Sequence, residues 1–438
     1  MKKTLTLLFA LIAMSLTAQH TISGTFSPAK EYTWLIAYQL KPGTQVYVAD
    51  TKIENGKFKL ELPANAAAGT YRLVYAVPQE EFNFDVLHNG KEDIVLNFNA
   101  QDGATYTTSK ENKMLNSYFL EINALQKQVI DFYTSNSTNK KELAKLYDKI
   151  NSTQAKYEAD AKDLIALNFI KANKPYIASN FESIYEFVEH KKQNYFTAID
   201  FKNKQLQASS FLTDKTLNYV YTSLPLNKVT KDATETVLQQ NIQTVASKLE
   251  GVNDTFKFSL FYDLWIYAAS AKYNKTSDFI YSNYLKEIGA VTNNQELIKG
   301  IEAHTRLRIG AKAPEITWND GKNSLSKLDA AENYVVVFWS STCSHCLKEL
   351  PQLNKAIQQY SNVKVLAVGL EDEYNYWDTE SAKLKSFTHA LALGKWDNKY
   401  AELYNISATP TYFILDKDKR IVNKPETYKE VLEYLNKK

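Results

Sequence analysis

The stretch that decides the fold runs Tyr334-Val335-Val336-Val337-Phe338-Trp339-Ser340-Ser341-Thr342-Cys343-Ser344-His345-Cys346-Leu347-Lys348-Glu349-Leu350-Pro351. Tyr334 to Trp339 is wholly apolar, the pattern of a strand buried on both faces, since a strand with one wet face alternates instead. Polar residues then end the strand, and a helix begins at Cys343. Cys343 and Cys346 are the only two cysteines in a chain of 438 residues. A sequence that keeps one adjacent pair of thiols at a strand–helix junction is most simply a dithiol that opens and closes. A bridge between them would close a loop too small to restrict the unfolded chain much, so redox chemistry explains the pair better than stapling does.

Position assigns their roles. Cys343, at the start of a helix, meets unpaired amide N–H groups and the positive end of the dipole; these favour thiolate, making it the expected attacking thiol. Cys346, one turn inside, is less exposed and within reach of the first sulfur, so it is the expected resolving thiol that releases a partner from a mixed disulfide. His345 between them adds an imidazole that stabilises thiolate and moves the pair toward an oxidising potential; the bland alternative is a solvated first-turn histidine. Glu349 lies three residues after Cys346, on the same helix face, where it can exchange the resolving thiol's proton. An apolar wall would raise its pKa, although a dipole-favoured surface glutamate fits the same spacing. Pro351 removes one ladder bond and should bend the helix. Farther on, Thr409-Pro410 precedes a strand, Thr411 to Leu415. A cis bond there would turn the chain and leave Thr409 backbone groups free for an extended substrate peptide; a trans proline at a strand start is commoner.

Outward from this segment the chain is multidomain. Within 306–438 a hairpin signal at Asp320-Gly321, a second strand Val363 to Gly369, a helix near Trp396 to Tyr404, a hairpin of Thr411 to Leu415 with Arg420 to Val422 and a closing helix give an α/β domain. Its mixed sheet is expected to be covered on both faces. Residues 106–305 carry apolar residues at helical spacing with almost no glycine or proline, predicting an α-helical region with helices over 110–134, 139–172, 231–250, 255–272 and 276–288. Its aromatic run of Phe258, Phe261, Tyr262, Trp265 and Tyr267 suits a packed core better than a ligand groove. Residues 19–105 alternate apolar and polar between Asn-Gly turns, the pattern of an antiparallel β-sandwich.

Residues 1–18 have the form of an export signal: Lys2 and Lys3, an apolar run from Leu5 to Met14, and a small-residue exit with a cut near Ala18. That run is too short to span a bilayer, so a soluble exported protein in the periplasm or cell envelope is expected, not an integral membrane protein. Formal charge is +3, and hydrophobic residues make up 44%. The chain can build a core but has no broad basic field for nucleic acid.

Residues 309–438 resemble the thioredoxin-like domain of the TlpA and ResA family of exported thiol-disulfide oxidoreductases. The resemblance rests on Gly310-Ala311-Lys312-Ala313-Pro314, on Phe338-Trp339 before the CxxC, on Cys346-Leu347-Lys348-Glu349-Leu350-Pro351, and on Ala408-Thr409-Pro410-Thr411 before Tyr412-Phe413-Ile414-Leu415-Asp416. It implies a thioredoxin fold, a cis peptide at Pro410, Cys343 as nucleophile, Cys346 as resolving thiol and a functional carboxylate at Glu349. Trp339, Thr342, Ser344, His345, Thr409 and Pro410 are the expected substrate-binding surface. The segment 19–105 looks like the domain that often precedes such modules. Two departures stand out: Val337 occupies the strand position where thioredoxins carry a buried acid, and Thr342 replaces the tryptophan usual before the first cysteine.

The expected activity is therefore dithiol–disulfide exchange with protein clients and a redox partner, with the Cys343–Cys346 disulfide itself in place of any cofactor and no metal. Three rival readings stand beside it. A partner-binding envelope protein would make the redox module auxiliary. A copper-handling protein would use both sulfurs, with His389 as a further ligand. A peroxidase needs a threonine three residues before its cysteine, where this chain has Ser340.

Overall fold

The computed structural model describes residues 20–328, 331–374 and 376–437; the expected export signal lies outside them. The chain divides after Thr292 into two units.

The first unit opens with eight strands: β1 (Thr21–Ser27), β2 (Trp34–Lys41), β3 (Thr44–Lys52), β4 (Lys57–Glu61), β5 (Gly69–Val74), β6 (Asn83–His88), β7 (Ile94–Asn99) and β8 (Gly103–Tyr106). They form two sheets, ordered β4-β1-β7-β8 and β3-β2-β5-β6. Alternate residues of both, Ile22, Phe58, Leu60 and Leu96 from one and Leu35, Ala37, Tyr71 and Leu73 from the other, share one core, as a sandwich requires. One pairing departs from the antiparallel expectation: β1 runs parallel to β7. Period-two alternation is the same in either direction, so the sequence could not show this. At Gly24 the two backbones come so close that a Cβ would lie 1.7 Å from the Leu96 carbonyl oxygen.

The helices follow the apolar stripes. Lys110–Thr134 matches its expected range, and Lys231–Lys248 and Asp254–Ser270 fall within two residues of theirs. The expected helix over 139–172 is instead two, Lys140–Asp160 and Ala166–Ala172. The reason is Glu111, only 2% exposed, whose carboxylate accepts the Ile165 and Ala166 N–H groups at 3.1 and 2.9 Å and caps a fresh helix there. The last expected helix begins at Asn274 and continues through a π-turn, Tyr281–Leu285, to Val291. Ile184–Gln193 and Phe211–Thr222 were not anticipated; the first buries only Phe187, so it lacks a stripe, although its Ser183/Glu186 capping box was there to be read. Phe258, Phe261 and Trp265 are core residues, while Tyr267 is exposed and stacks on Tyr221 at 3.9 Å. Asn112 fastens this region to the sandwich, accepting the Leu87 N–H at 2.8 Å and donating to the Leu87 carbonyl at 2.7 Å. Among the described residues no helix is long and apolar enough to cross a membrane.

The second unit begins earlier than the expected boundary at 306. Helix Gln295–Leu307 belongs to it because Leu307, 5% exposed, enters its core and the Arg306 Nε donates to the Leu403 carbonyl at 2.8 Å. After a short hairpin of β9 (Thr317–Trp318) and β10 (Asn323–Ser324) come β11 (Asn333–Trp339), β12 (Val363–Glu371), β13 (Phe387–Leu393), β14 (Thr411–Asp416) and β15 (Ile421–Asn423). These five strands form a mixed sheet in the order β13-β12-β11-β14-β15. β11, β12 and β13 are parallel, while β14 and β15 are antiparallel. All seven residues of β11 are buried. Tyr334, Val336 and Phe338 enter one core and Val335, Val337 and Trp339 the other, which explains why the strand is apolar without alternation. This is the thioredoxin-like α/β arrangement, with the cysteine-bearing helix Ser344–Ala356 leaving the carboxyl end of the central strand.

Candidate active site

The strand–helix junction places Cys343 at the N-cap of Ser344–Ala356. Its sulfur stands where a capping oxygen usually would, accepting the Cys346 N–H at 3.2 Å. On its other side it lies 3.3 Å from the carbonyl oxygen of Thr409, across the cis Thr409–Pro410 bond. Burial alone would raise the Cys343 thiol. Hydrogen bonding from Cys346 and Thr409 and from the backbone N–H groups of Cys346 and His345 outweighs it, and the thiol lies below its ordinary value. Cys346 is fully buried, and burial, reinforced by Cys343, pushes its thiol up to about 12. Both cysteines are free. One chain segment thus holds two thiols of opposite character: one half-buried with its pKa lowered, the other sealed with its pKa raised.

Glu349 is half-buried on the same helix, and its Oε2 accepts from the Tyr412 hydroxyl at 3.1 Å and from the Tyr428 N–H at 3.3 Å. Tyr412 comes from β14 opposite Val337 and is 1% exposed, within electrostatic reach of both sulfurs. Burial, then Glu349, raises its phenol. Where thioredoxins carry a buried acid on the strand, this chain therefore has Val337 paired with a tyrosine that reaches Glu349. Neither Tyr412 nor Tyr428 was singled out from sequence; each lies more than sixty positions from Glu349, and only the sheet brings them together.

Of the residues expected to face a client, Thr342, Ser344 and His345 are exposed beside Cys343 in the chain, and Thr409 and Pro410 are half-buried, with the Thr409 carbonyl against the Cys343 sulfur. Trp339 is a correction: at 1% exposure it packs in the core with Cys346 and Leu350, because an inward position on β11 gives its ring no path to the surface. His345 acts on Cys343 through its backbone N–H. The helix passes through Pro351 and ends at Ala356. His389 does not join the dithiol: it is on β13, with β12 between it and β11, and its Nε2 bonds the Leu384 carbonyl at 3.0 Å. Among the described residues no group of three or more histidine, cysteine or acidic side chains is placed to hold a metal.

Comparison with known proteins places this unit. Over 138 residues the chain is 30% identical to the thiol-disulfide oxidoreductase ResA of Bacillus cereus, covering 30% of this chain and 79% of that one. The chain belongs to the ResA family of thiol-disulfide oxidoreductases. A ResA from Geobacillus thermodenitrificans is 24% identical over 139 residues, covering 78% of its length. Residues 309–424 also match the sequence profile of the AhpC/TSA family. Among solved structures, a domain of a possible thiol-disulfide isomerase from Cytophaga hutchinsonii is 28% identical, covering 30% of this chain and 92% of that one, with a TM-score of 0.27. In this ResA-family member the AhpC/TSA match, residues 309–424, falls within the second unit, 293–438.

Proposed function

We propose that the chain is an exported enzyme that exchanges electrons with protein clients through Cys343 and Cys346. The observation carrying this reading is the Cys343 sulfur at a helix N-terminus, held by the Cys346 N–H and facing the Thr409 carbonyl beside a fully buried second thiol. In the reducing direction the Cys343 thiolate attacks one sulfur of a client disulfide. A bond forms between Cys343 and that sulfur, and the client's other sulfur leaves as thiolate and takes a proton from water. Cys346 then gives its proton to Glu349 and attacks the Cys343 sulfur. The mixed disulfide breaks, the client departs with both sulfurs reduced, and the chain keeps the Cys343–Cys346 disulfide. The oxidising direction is the reverse sequence. The exposed Thr342, Ser344 and His345 and the half-buried Thr409 and Pro410 form the rim against which a client lies.

The test is a Cys346→Ser variant exposed to a disulfide-bonded protein. It should accumulate a mixed disulfide at Cys343 that reductant releases, while Cys343→Ser should form none. Failure of Cys346→Ser to form any adduct, in a folded protein whose Cys343 is free, overturns the reading. Export is tested separately by recovering the protein from the cell envelope with its amino terminus near Gln19.

A further inference from the structure

We infer that Glu371 is a positioning residue for the dithiol exchange proposed above, fixing the loop that delivers Cys343 to the start of its helix. Glu371 is the last residue of β12, the strand parallel and adjacent to β11, and is only 3% exposed. Its neighbours along β12, Leu366, Ala367, Val368 and Leu370, are buried and apolar. A carboxylate there is costly to bury unless its oxygens are bonded. Both are, and both to the same loop. One oxygen accepts the Ser341 N–H and the other the Ser340 hydroxyl at 3.2 Å.

From there the bonds pass directly to the nucleophile. The Ser340 hydroxyl oxygen accepts the Thr342 N–H at 3.3 Å and lies 3.0 Å from the Thr342 hydroxyl, while the Ser340 carbonyl accepts the Cys343 N–H at 3.1 Å. Ser340, Ser341 and Thr342 belong to neither strand nor helix, so nothing in the ladder of β11 or of the helix fixes them. Glu371 does so from outside. Hydrogen bonds to a charged acceptor are shorter and stronger than neutral ones, which suits a group whose task is to hold a short irregular loop still. The carboxyl end of a parallel strand is also where an α/β sheet places its working groups. Glu371 need not touch a sulfur: by holding Ser340 and Ser341 it sets where Cys343 enters the helix, and with it how the Cys346 N–H meets the Cys343 sulfur.

The experiment uses the full chain carrying Cys346→Ser, so that Cys343 is the only thiol, and measures its alkylation by iodoacetamide against pH. Glu371→Ala should slow alkylation at pH 7 at least tenfold and move the midpoint of the profile upward. Glu371→Gln, whose amide oxygen can still accept the Ser341 N–H, should stay within threefold of the parent. Ser340→Ala, which removes one arm and leaves the carboxylate in place, should fall between and serves if Glu371→Ala does not fold. The inference is overturned if folded Glu371→Ala, or Ser340→Ala in its place, matches the parent, or if Glu371→Gln is as impaired as alanine. A parent protein whose Cys343 resists alkylation at every pH would instead overturn the dithiol reading itself, so the two failures are distinct.

Discussion

The Tyr412 hydroxyl donates to Glu349 Oε2 at 3.1 Å, joining a phenol from β14 and a carboxylate from the cysteine-bearing helix into one pair beside the two sulfurs. If Glu349 handles the Cys346 proton, Tyr412 holds it in place for that transfer. Removing the hydroxyl in Tyr412→Phe should raise the barrier for mixed-disulfide release by about 1 kcal/mol, or roughly a fivefold slowing. Glu349→Gln should slow the same step roughly 10²-fold. Rapid mixing of reduced protein with a disulfide peptide separates this step from the initial attack, which should keep its rate in both variants.

The two thiols should titrate apart. Alkylation of Cys343 in the Cys346→Ser protein should have its midpoint below the ~8.5 of an ordinary cysteine, whereas Cys346 in Cys343→Ser should remain unreactive at pH 8. The sign for stability follows. Cys343, depressed in the folded state, stabilises the reduced protein fully above ~8.5 and loses that contribution as pH falls through its lowered folded value. Cys346, raised on folding, contributes fully below ~8.5 and loses its contribution as pH climbs toward about 12. Denaturation of the reduced protein at pH 6, 8 and 10 checks both directions.

Asn112→Ala should destabilise the first unit by about 2–4 kcal/mol, because it strips partners from the buried N–H and carbonyl of Leu87 at the join between sandwich and helices. Urea denaturation followed by circular dichroism measures it; Asn116→Ala, one turn on, is the control, with a change below about 0.5 kcal/mol expected.

A fragment beginning at Asn293 should be more stable than one beginning at Ile309 by about 2 kcal/mol, since only the longer one carries Leu307, whose side chain is buried in the core of the second unit. Chemical denaturation of the two fragments is the measurement.

The sequence was most informative where geometry is local. The apolar run into Cys343 showed a strand buried on both faces, and the spacing of the thiols showed one at a helix start and one a turn inside. Period and turn residues likewise showed the sandwich and most of the helices. What the sequence hid is what only pairing across the sheet brings together. Tyr412 and Tyr428 meet Glu349 across two elements, and Glu371 reaches the Ser340–Ser341 loop from a neighbouring strand. Nothing near Glu371 in the chain marks it as different from a strand's polar end. The break in the helix expected over 139–172 has the same origin: a cap supplied by Glu111, some fifty residues away in sequence. The misplaced unit boundary arose because Gln295–Leu307 has the same amphipathic pattern as the helices before it, and an apolar stripe does not say which core receives it.

Because β11 sends successive side chains alternately into two separate interiors, its parity governs everything downstream. A single-residue deletion between Asn333 and Trp339 would turn the side chains after it to the opposite face and change how the chain enters the cysteine-bearing helix. Lengthening or shortening that strand by one should therefore misplace the dithiol while leaving both sulfurs in the chain.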